Sequence, residues 1–413
     1  MTVDVIYMDN NATTRVAPEV VDAMMPYLTA DYFNPSSMYA AATGPAAAIK
    51  QARRTIAQLL GRVRPEEILF TSCATESNNT ALFGAVAANP ERRHVVTTGV
   101  EHPAVLNVAK DLGRRGLEVN FLPVDRAGRL EMAQYVRALR PDTLLVSVMH
   151  ANNETGVVFP VEEMARIAKE TDPGIVFHSD ATQTVGKLPI DLSGSFKHVD
   201  LLSFSGHKLH APKGIGALFM RRGTRCRPLL LGGHQEDGRR GGTENVAFIV
   251  GLARALELMA EHHDADEPRL QAMRDRLERE LLLRIPYLEV NGAGAARLSN
   301  TLNVACHFIE GEGILYQLSS HGICASSGSA CTSGSLEPSH VLRAMKVPFT
   351  AIHGSVRFSL SRYNTETEVD RVIEVFPTIV GSLRRLSPYW DATANRPRPE
   401  AMKMLDDVGA PHS

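Results

Sequence analysis

Two charged side chains stand where apolar segments end, and chemistry in a sheet protein is often found at such ends. Asp180 closes the segment 177–180, and Lys208 follows another apolar segment 28 residues later. A carboxylate in that position is poorly solvated, so it needs a cation or hydrogen-bond donors. A lysine in an apolar cleft loses its proton more readily and can act as an amine nucleophile. The same two residues could instead simply pair with each other.

A run of small, hydroxyl-bearing residues indicates an anion site. Residues 71–76 follow a predicted strand and open a predicted helix, so that backbone N–H groups near Ala74 and Thr75 can face a phosphate. A plain helix cap is the alternative. An anion cradle, a carboxylate and a reactive amine together suit pyridoxal phosphate, whose phosphate, ring nitrogen and aldehyde need these three partners. Lys213 competes with Lys208 for the amine role, but its Pro-Lys-Gly context favours a loop.

Further polar side chains follow other predicted strands. His102 lies in Val-Glu-His-Pro, Asn153 precedes Gly156, and Gln183 comes three residues after Asp180. A histidine here can move protons, although a structural histidine is the commoner case. Amide side chains can hold a ligand, and those before a glycine also favour turns. These residues are therefore candidates for the same site.

A cysteine and an arginine in the last third of the chain could serve a second chemical step. Cys331 is surrounded by Ser, Gly, Ala and Thr over residues 325–335. Such a segment buries little apolar surface, so we expect a mobile loop with an exposed thiol that can react as thiolate. A buried, inert thiol is the usual role of cysteine, and it fits Cys226 and Cys306 better. Arg357 could bind a substrate carboxylate through two N–H groups, or form a structural salt bridge.

The apolar pattern supplies a scaffold for these residues. From about residue 65 to 220, short runs rich in Val, Ile and Leu alternate with amphipathic stretches. This pattern predicts an α/β fold with a largely parallel sheet covered by helices on both faces. Ligands in such sheets bind beyond the carboxyl ends of the strands. We predict strands at 67–71, 94–98, 117–124, 143–148, 175–178, 201–204 and 215–220, and helices at 74–88, 104–112, 132–139 and 161–169.

The pattern changes near residue 265. A charged helix is predicted at 270–283 and another at 366–383, while 298–304 and 356–361 alternate as half-buried antiparallel strands do. The end of the chain is rich in proline and lacks periodicity, which predicts a mobile tail. We therefore expect a large α/β domain at 15–262, a smaller α+β domain formed by 1–14 and 263–390, and a tail at 391–413.

Composition excludes several classes of protein. Forty-four Lys and Arg against 46 Asp and Glu give a formal charge of −2, which offers no basic field for nucleic acid or anionic lipid. No stretch approaches the roughly 20 apolar residues of a membrane helix, and the start of the sequence lacks a secretory pattern. Five scattered cysteines with no Cys-x-x-Cys pair indicate neither a disulfide framework nor a metal site. We expect a cytoplasmic enzyme with reduced thiols.

Nine ordered motifs make the sequence similar to a known family. They comprise residues 8–14, 34–37, 72–77, 151–156, 180–183, 205–208, 241–245, 326–340 and 356–362. With these motifs the chain resembles the cysteine desulfurases of the NifS/IscS type, within the class V aminotransferase group of fold-type I pyridoxal-phosphate enzymes. The resemblance extends from about residue 7 to 390. Residues 207–214 and 232–236 favour the nitrogen-fixation branch.

The resemblance implies a role for each motif residue. Lys208 would bind the cofactor covalently, Asp180 would pair with its ring nitrogen, and His102 would stack on the ring and move protons. Arg357, together with Asn34 and Asn153, would hold the substrate carboxylate, and Cys331 would accept the sulfur. The remaining cofactor contacts would come from Asn153 and Gln183 at the ring, from Ala74, Thr75, Ser205 and His207 at the phosphate, and from Thr243 at the phosphate of a neighbouring subunit.

The resemblance implies a homodimeric enzyme that converts L-cysteine to L-alanine and passes sulfur to an iron–sulfur scaffold protein. Membership of the nitrogen-fixation branch would further imply that the clusters are assembled for nitrogenase. The alternatives are selenocysteine lysis, another fold-type I reaction or a non-enzymatic scaffold.

The sequence departs from the family pattern in three places. Tyr39 and Asp237 stand where relatives usually have histidine and arginine, and Cys324 is an extra thiol for which an inert role is expected.

Overall fold

The computed structural model of the protein describes residues 5–327 and 338–406. Its strands are β1 (Ile6–Tyr7), β2 (Ile68–Thr71), β3 (His94–Thr98), β4 (Glu118–Leu122), β5 (Thr143–Ser147), β6 (Val176–Asp180), β7 (Leu201–Ser205), β8 (Gly216–Met220), β9 (Leu288–Val290), β10 (Thr301–Cys306), β11 (Ile323–Cys324), β12 (Ser355–Ser359), β13 (Trp390–Asp391) and β14 (Arg396–Pro397). Its α-helices are α1 (Pro18–Thr29), α2 (Thr43–Leu59), α3 (Ala74–Ala88), α4 (Pro103–Arg114), α5 (Met132–Ala138), α6 (Val161–Thr171), α7 (Val246–Arg284), α8 (Gly311–Ser320), α9 (His340–Ala344), α10 (Phe349–Ile352), α11 (Glu366–Leu386) and α12 (Pro399–Asp406).

A seven-stranded sheet with the order β2-β8-β7-β6-β5-β3-β4 forms the large α/β unit. The pairs β3–β4, β3–β5, β5–β6 and β6–β7 are parallel, whereas β8 runs antiparallel to both of its neighbours. The carboxyl ends of the other six strands therefore meet at one edge. The predicted fold class, a largely parallel sheet within an α/β fold, is confirmed.

Helices cover both faces of this sheet because alternate strand residues point to opposite sides. On β2, Ile68 and Phe70 join a core with α1, α2, α6 and α7, while Leu69 joins a second core with α3 and α4. Every residue of β2, β3, β5, β6 and β7 is buried. This two-sided burial explains why these strands have continuous apolar runs.

A second, smaller unit is built on the antiparallel sheet β12-β10-β9. Its apolar core combines this sheet with α8, α11, the last third of α7 and Met8 of the N-terminal segment. The short strand β1 pairs with β11, which ties the start of the chain to this unit. The boundary predicted near residue 262 falls inside the continuous 39-residue helix α7, not in a linker.

The strands β10 and β12 differ from the prediction in one respect. We expected half-buried strands, but all residues of both strands are buried. The reason is that their polar face contacts protein and not solvent. Asn11 donates to the Thr301 hydroxyl at 2.9 Å, and Arg357 donates to Asp9 and to the backbone of Asn153. The polar residues that alternate along β10 and β12 therefore indicate a buried functional site and not a solvent-exposed face.

The C-terminal segment also differs from the expected mobile tail. Trp390 is buried against Phe308 and Ala401, and the Arg384 guanidinium lies 4.7 Å from its ring centroid. β13 and β14 form a hairpin, and α12 follows. Burial of one large aromatic side chain thus fixes residues 390–401, which local proline content alone did not reveal. Residues 407–413 lie outside the described chain.

No helix among the described residues is long and apolar enough to span a membrane.

Candidate active site

A cavity of about 290 Å³ lies at the edge where the parallel strands end. Ten of the residues selected from the sequence line it, although they come from six separate segments of the chain. These residues are Ala74, Thr75, His102, Asn153, Asp180, Gln183, Ser205, His207, Lys208 and Arg357. The carboxyl ends of β2, β6 and β7 and the turn after β5 bring most of them together.

One end of the cavity has the properties of an anion site. Helix α3 begins at Ala74 directly after the extended residue Cys73, so its first N–H groups are available to a ligand. The Ser205 hydroxyl at the end of β7 is buried and has no hydrogen-bond partner among the described residues. A buried hydroxyl of this kind favours a bound acceptor such as a phosphate oxygen.

A glycine allows the anion-binding end of the cavity to form. Gly216 on β8 lies against the turn before α3, and a Cβ atom there would be 2.8 Å from the Cys73 carbonyl carbon. Only glycine lets strand and turn approach so closely. His207 completes this end, and burial, with Lys208 and Lys213 nearby, lowers its pKa to about 4. His207 is therefore neutral at pH 7 and contacts the Thr13 hydroxyl at 3.1 Å.

The carboxylate of Asp180 lies at the other side of the cavity and is held by two donors. Asn78 Nδ2 donates to Oδ2 at 2.7 Å, and the backbone N–H of Thr182 donates to Oδ1 at 2.9 Å. The sequence analysis missed Asn78. The sequence feature that could have identified it is a polar residue one helical turn after the anion cradle, on the face of α3 that packs on the sheet.

The amine of Lys208 enters the cavity from the turn after β7. Its Nζ donates to the backbone carbonyls of Asn11 at 2.7 Å and Ala12 at 2.6 Å. Lys213 is exposed and does not line the cavity. The geometry therefore favours Lys208 as the reactive amine.

His102 lies just before α4 and caps this helix. Its Nδ1 accepts from the backbone N–H of Ala104 at 3.1 Å, so the neutral ring carries its proton on Nε2. Burial lowers the pKa of His102, Lys208 and His340 lower it further, and Asp180 opposes the shift. The side chain is thus a neutral imidazole with a fixed tautomer at neutral pH.

The guanidinium of Arg357 forms the wall opposite the sheet. Its Nη1 donates to the Asn153 carbonyl at 2.8 Å and its Nη2 to Asp9 Oδ1 at 2.7 Å. The Nε atom is buried and has no partner among the described residues. A guanidinium with an unused donor that faces a cavity suits a carboxylate. The sequence analysis assigned no role to Asp9 or to Asn11.

Two predicted residues lie away from this cavity, and a third falls outside the described part of the chain. Cys331 lies outside the described residues. Asn34 and Thr243 are exposed and do not line the cavity of their own chain, so the contacts predicted for them stay predictions. On either side of residues 328–337, the chain contacts the site: Ser326 pairs with the Arg357 backbone, and Ser339 donates to the buried Glu154 at 2.5 Å.

Four other cysteines are described, and each is a free thiol. Burial raises the pKa of Cys226 and of Cys306 to about 12, and burial together with Asp9 raises that of Cys324. Raised pKa values disfavour the reactive thiolate. Of these four thiols, Cys73 is the one that lines the cavity.

Comparisons with known proteins identify the family of this chain. The family model described as Aminotransferase class-V matches residues 6–372. "Cysteine desulfurase 2" of Trichormus variabilis is 57% identical over 93% of this chain and 95% of its own length. "Cysteine desulfurase NifS" of Azotobacter vinelandii is 56% identical over the same shares.

Two solved structures share the fold of this chain. A structure described as a NIFS-like protein superimposes with a TM-score of 0.86 at 38% identity, covering 92% of this chain and all of that one. A structure described as SspA in complex with cysteine superimposes with a TM-score of 0.76 at 37% identity, covering 87% of this chain and all of that one.

Proposed function

Because this chain belongs to the class-V aminotransferase family, we propose that the cavity is the active site of a pyridoxal-phosphate-dependent cysteine desulfurase. The enzyme converts L-cysteine to L-alanine and transfers the sulfur to one of its own cysteines. The observation that carries this proposal is the meeting of Lys208, Asp180 and Arg357 around one cavity. Amine, ring-nitrogen partner and carboxylate site are the groups that an amino-acid reaction on this cofactor needs.

The residues of the cavity fit pyridoxal phosphate. The unpartnered hydroxyl of Ser205 and the first N–H groups of α3, at Ala74 and Thr75, would hold the phosphate. The carboxylate of Asp180 would keep a proton on the ring nitrogen, since an anion favours a neighbouring cation. His102, Asn153 and Gln183 line the space between these ends. When bound, the cofactor supplies an electron sink that acidifies the substrate Cα–H bond.

Arg357 binds and orients the substrate in this proposal. Its buried Nε and its planar guanidinium can receive the carboxylate of L-cysteine. Asp9 balances the positive charge and fixes the plane of the group through Nη2. Lys208 then holds and moves the proton of the substrate Cα, because its Nζ is the amine beside that cavity.

Cys331 is the sulfur acceptor in this proposal. Its thiolate attacks the sulfur of L-cysteine, a new S–S bond forms, and the Cβ–S bond of the substrate breaks. The carbon skeleton takes up a proton and leaves as L-alanine, while the enzyme keeps a persulfide. The raised pKa values of Cys226, Cys306 and Cys324 support a nucleophile elsewhere.

Cysteine variants test the activity and the nucleophile together. Cys331→Ala should retain the visible absorption of the bound cofactor and lose alanine and sulfide formation. Cys73→Ala is the matched control, because Cys73 lines the cavity and its removal should leave most of the turnover. Normal sulfide release by Cys331→Ala, or its loss only in Cys73→Ala, would contradict the assignment.

We also propose a homodimer in which Thr243 reaches the phosphate bound by the partner subunit and Asn34 assists the substrate site. Two exposed segments support this arrangement. Met38, close to Asn34, is fully exposed, and Leu231, on the segment that leads to Thr243, is 85% exposed. Clusters of exposed apolar side chains mark interfaces, and these two segments also expose Tyr32, Tyr39, Leu229 and Leu230.

The sulfur acceptor that we propose is an iron–sulfur scaffold protein in the cytoplasm, serving nitrogenase assembly. The resemblance to the nitrogen-fixation branch and the naming of relatives support this destination. The few scattered cysteines of the sequence, with no Cys-x-x-Cys pair, support a reducing compartment. Pull-down of the persulfide form, followed by transfer of labelled sulfur to the captured protein, tests it.

A further inference from the structure

The amide of Gln183 lies between two groups that determine its orientation. Its Nε2 donates to the backbone carbonyl of Asn11 at 3.1 Å, and its Oε1 accepts from Lys187 Nζ at 3.1 Å. A carbonyl can only accept, so the nitrogen must face Asn11 and the oxygen must face Lys187. Both contacts therefore require the same orientation of the amide.

Lys187 is outside the cofactor cavity. It lines a neighbouring cavity of about 40 Å³, whereas Gln183 lines the cavity of about 290 Å³, and Lys208 borders both. The Asn11 carbonyl that accepts from Gln183 also accepts from Lys208 Nζ at 2.7 Å. Lys187 thus contacts the cofactor cavity through Gln183.

We propose that Lys187 is a positioning residue that, together with the Asn11 carbonyl, fixes the Gln183 amide with Nε2 directed toward the cofactor cavity. With the cofactor bound, the second N–H of Nε2 would be available to donate to the hydroxyl oxygen of the pyridoxal ring. A donor at this place stabilises the negative charge of that oxygen, whereas the reversed amide would present an acceptor. This inference rests on the cofactor and on the predicted ring contact of Gln183, and it does not depend on the substrate.

The surroundings of Lys187 agree with a hydrogen-bonding role. Burial, with Lys208 and Arg357 nearby, lowers its pKa from 10.5 to about 7, and Glu267 opposes this shift. The amine is therefore only partly charged at neutral pH. Its contribution to the site is then the orientation of the Gln183 amide more than a fixed positive charge.

The test is a pH titration of the visible absorption band of the holoenzyme. Lys187→Met removes the donor at similar length, so we expect the midpoint to rise by roughly half to one pH unit, a roughly three- to tenfold change in proton affinity. Lys187→Arg keeps a donor and should restore the midpoint. Lys110→Met removes an exposed lysine and is the matched control.

A double variant separates positioning from a direct charge effect. In a Gln183→Ala background, adding Lys187→Met should change nothing further, because the residue through which Lys187 acts is gone. An equal shift in both backgrounds, or an unchanged midpoint in Lys187→Met, overturns the proposal. Lys187→Leu replaces Lys187→Met if the latter does not fold. Wild-type protein without alanine formation would contradict the desulfurase function and leave this result standing.

Discussion

At the scale of single residues, the site depends on buried charges whose partners are fixed. The two carboxylate oxygens of Asp180 accept hydrogen bonds from Asn78 Nδ2 and from the Thr182 backbone. The guanidinium of Arg357 donates to Asp9 Oδ1 and to the Asn153 carbonyl. Such hydrogen bonds to charged groups hold geometry as well as charge, so their loss weakens the site without removing any reacting group.

Asn78→Ala tests this support of Asp180. Loss of one hydrogen bond to a buried carboxylate is worth about 1.5–3 kcal/mol, so we expect roughly a ten- to hundredfold fall in kcat for alanine formation. The visible spectrum should change as well, because Asp180 faces the ring nitrogen in our proposal. Asn79→Ala is the control, since Asn79 donates within its own helix to Thr75. Equal effects of the two variants would argue against a specific role.

Glu101 gives a pH prediction. Burial raises its pKa from 4.5 to about 8, and one of its carboxyl oxygens has no hydrogen-bond partner among the described residues. The folded state therefore binds this proton more tightly than the unfolded chain does, and stability falls as pH rises from about 4.5 to 8. Glu101→Gln should lose this part of the pH dependence.

Urea unfolding at fixed protein concentration measures the effect of Glu101. The variant should gain stability relative to wild type between pH 5 and pH 8, on the order of a few kcal/mol. Glu66→Gln, at an exposed carboxylate, should show no such gain. A constant difference between Glu101→Gln and wild type at all pH values would show that Glu101 does not titrate in this range.

Residue types at strand ends could be predicted from the sequence, but their partners could not. Asp180, Lys208 and Arg357 are each conspicuous, since a charge within an apolar or alternating segment has few structural explanations. Asp9 contacts Arg357 across 348 positions of the chain, and Asn78 contacts Asp180 across 102. Pairings of this kind arise from the tertiary fold, so no local pattern contains them.

At the scale of elements, the predicted strands and helices of the large unit agree with the structure to within a few residues. Their period is set by burial on both faces of one sheet, which a sequence shows directly. The C-terminal segment was less predictable, because its order depends on the burial of one side chain. Trp390 packs on Phe308 and Tyr287, which belong to the smaller unit.

Trp390→Ala should therefore release the hairpin β13–β14. We expect a loss of about 3–5 kcal/mol in unfolding free energy, as for other buried large aromatic residues, with faster proteolysis of residues 390–406. Tyr316→Ala, at an exposed aromatic residue of α8, is the control. Trp390 is the only tryptophan of the chain, so its fluorescence in wild type follows this hairpin alone. Unchanged stability and proteolysis would contradict the role assigned to Trp390.

At the scale of the whole molecule, the proposed dimer predicts a link between assembly and cofactor binding. Leu231→Asp places a charge in the expected interface and should yield monomers in analytical ultracentrifugation. The same variant should lose pyridoxal phosphate faster during dialysis, because Thr243 no longer reaches the partner's phosphate. Leu283→Asp changes another exposed leucine, on α7, and should remain dimeric. A Leu231→Asp dimer with normal retention would contradict the shared site.

Helix α7 has a mechanical consequence for this molecule. Its first part, with Leu252 and Leu256, packs in the large core, and its last part, with Leu277 and Leu281, packs in the small one. Because α7 contributes side chains to both cores, unfolding of one core disrupts a helix on which the other core depends. We therefore expect the two units to unfold together. Calorimetry should accordingly record one endotherm, and limited proteolysis should not cleave the chain between the two units.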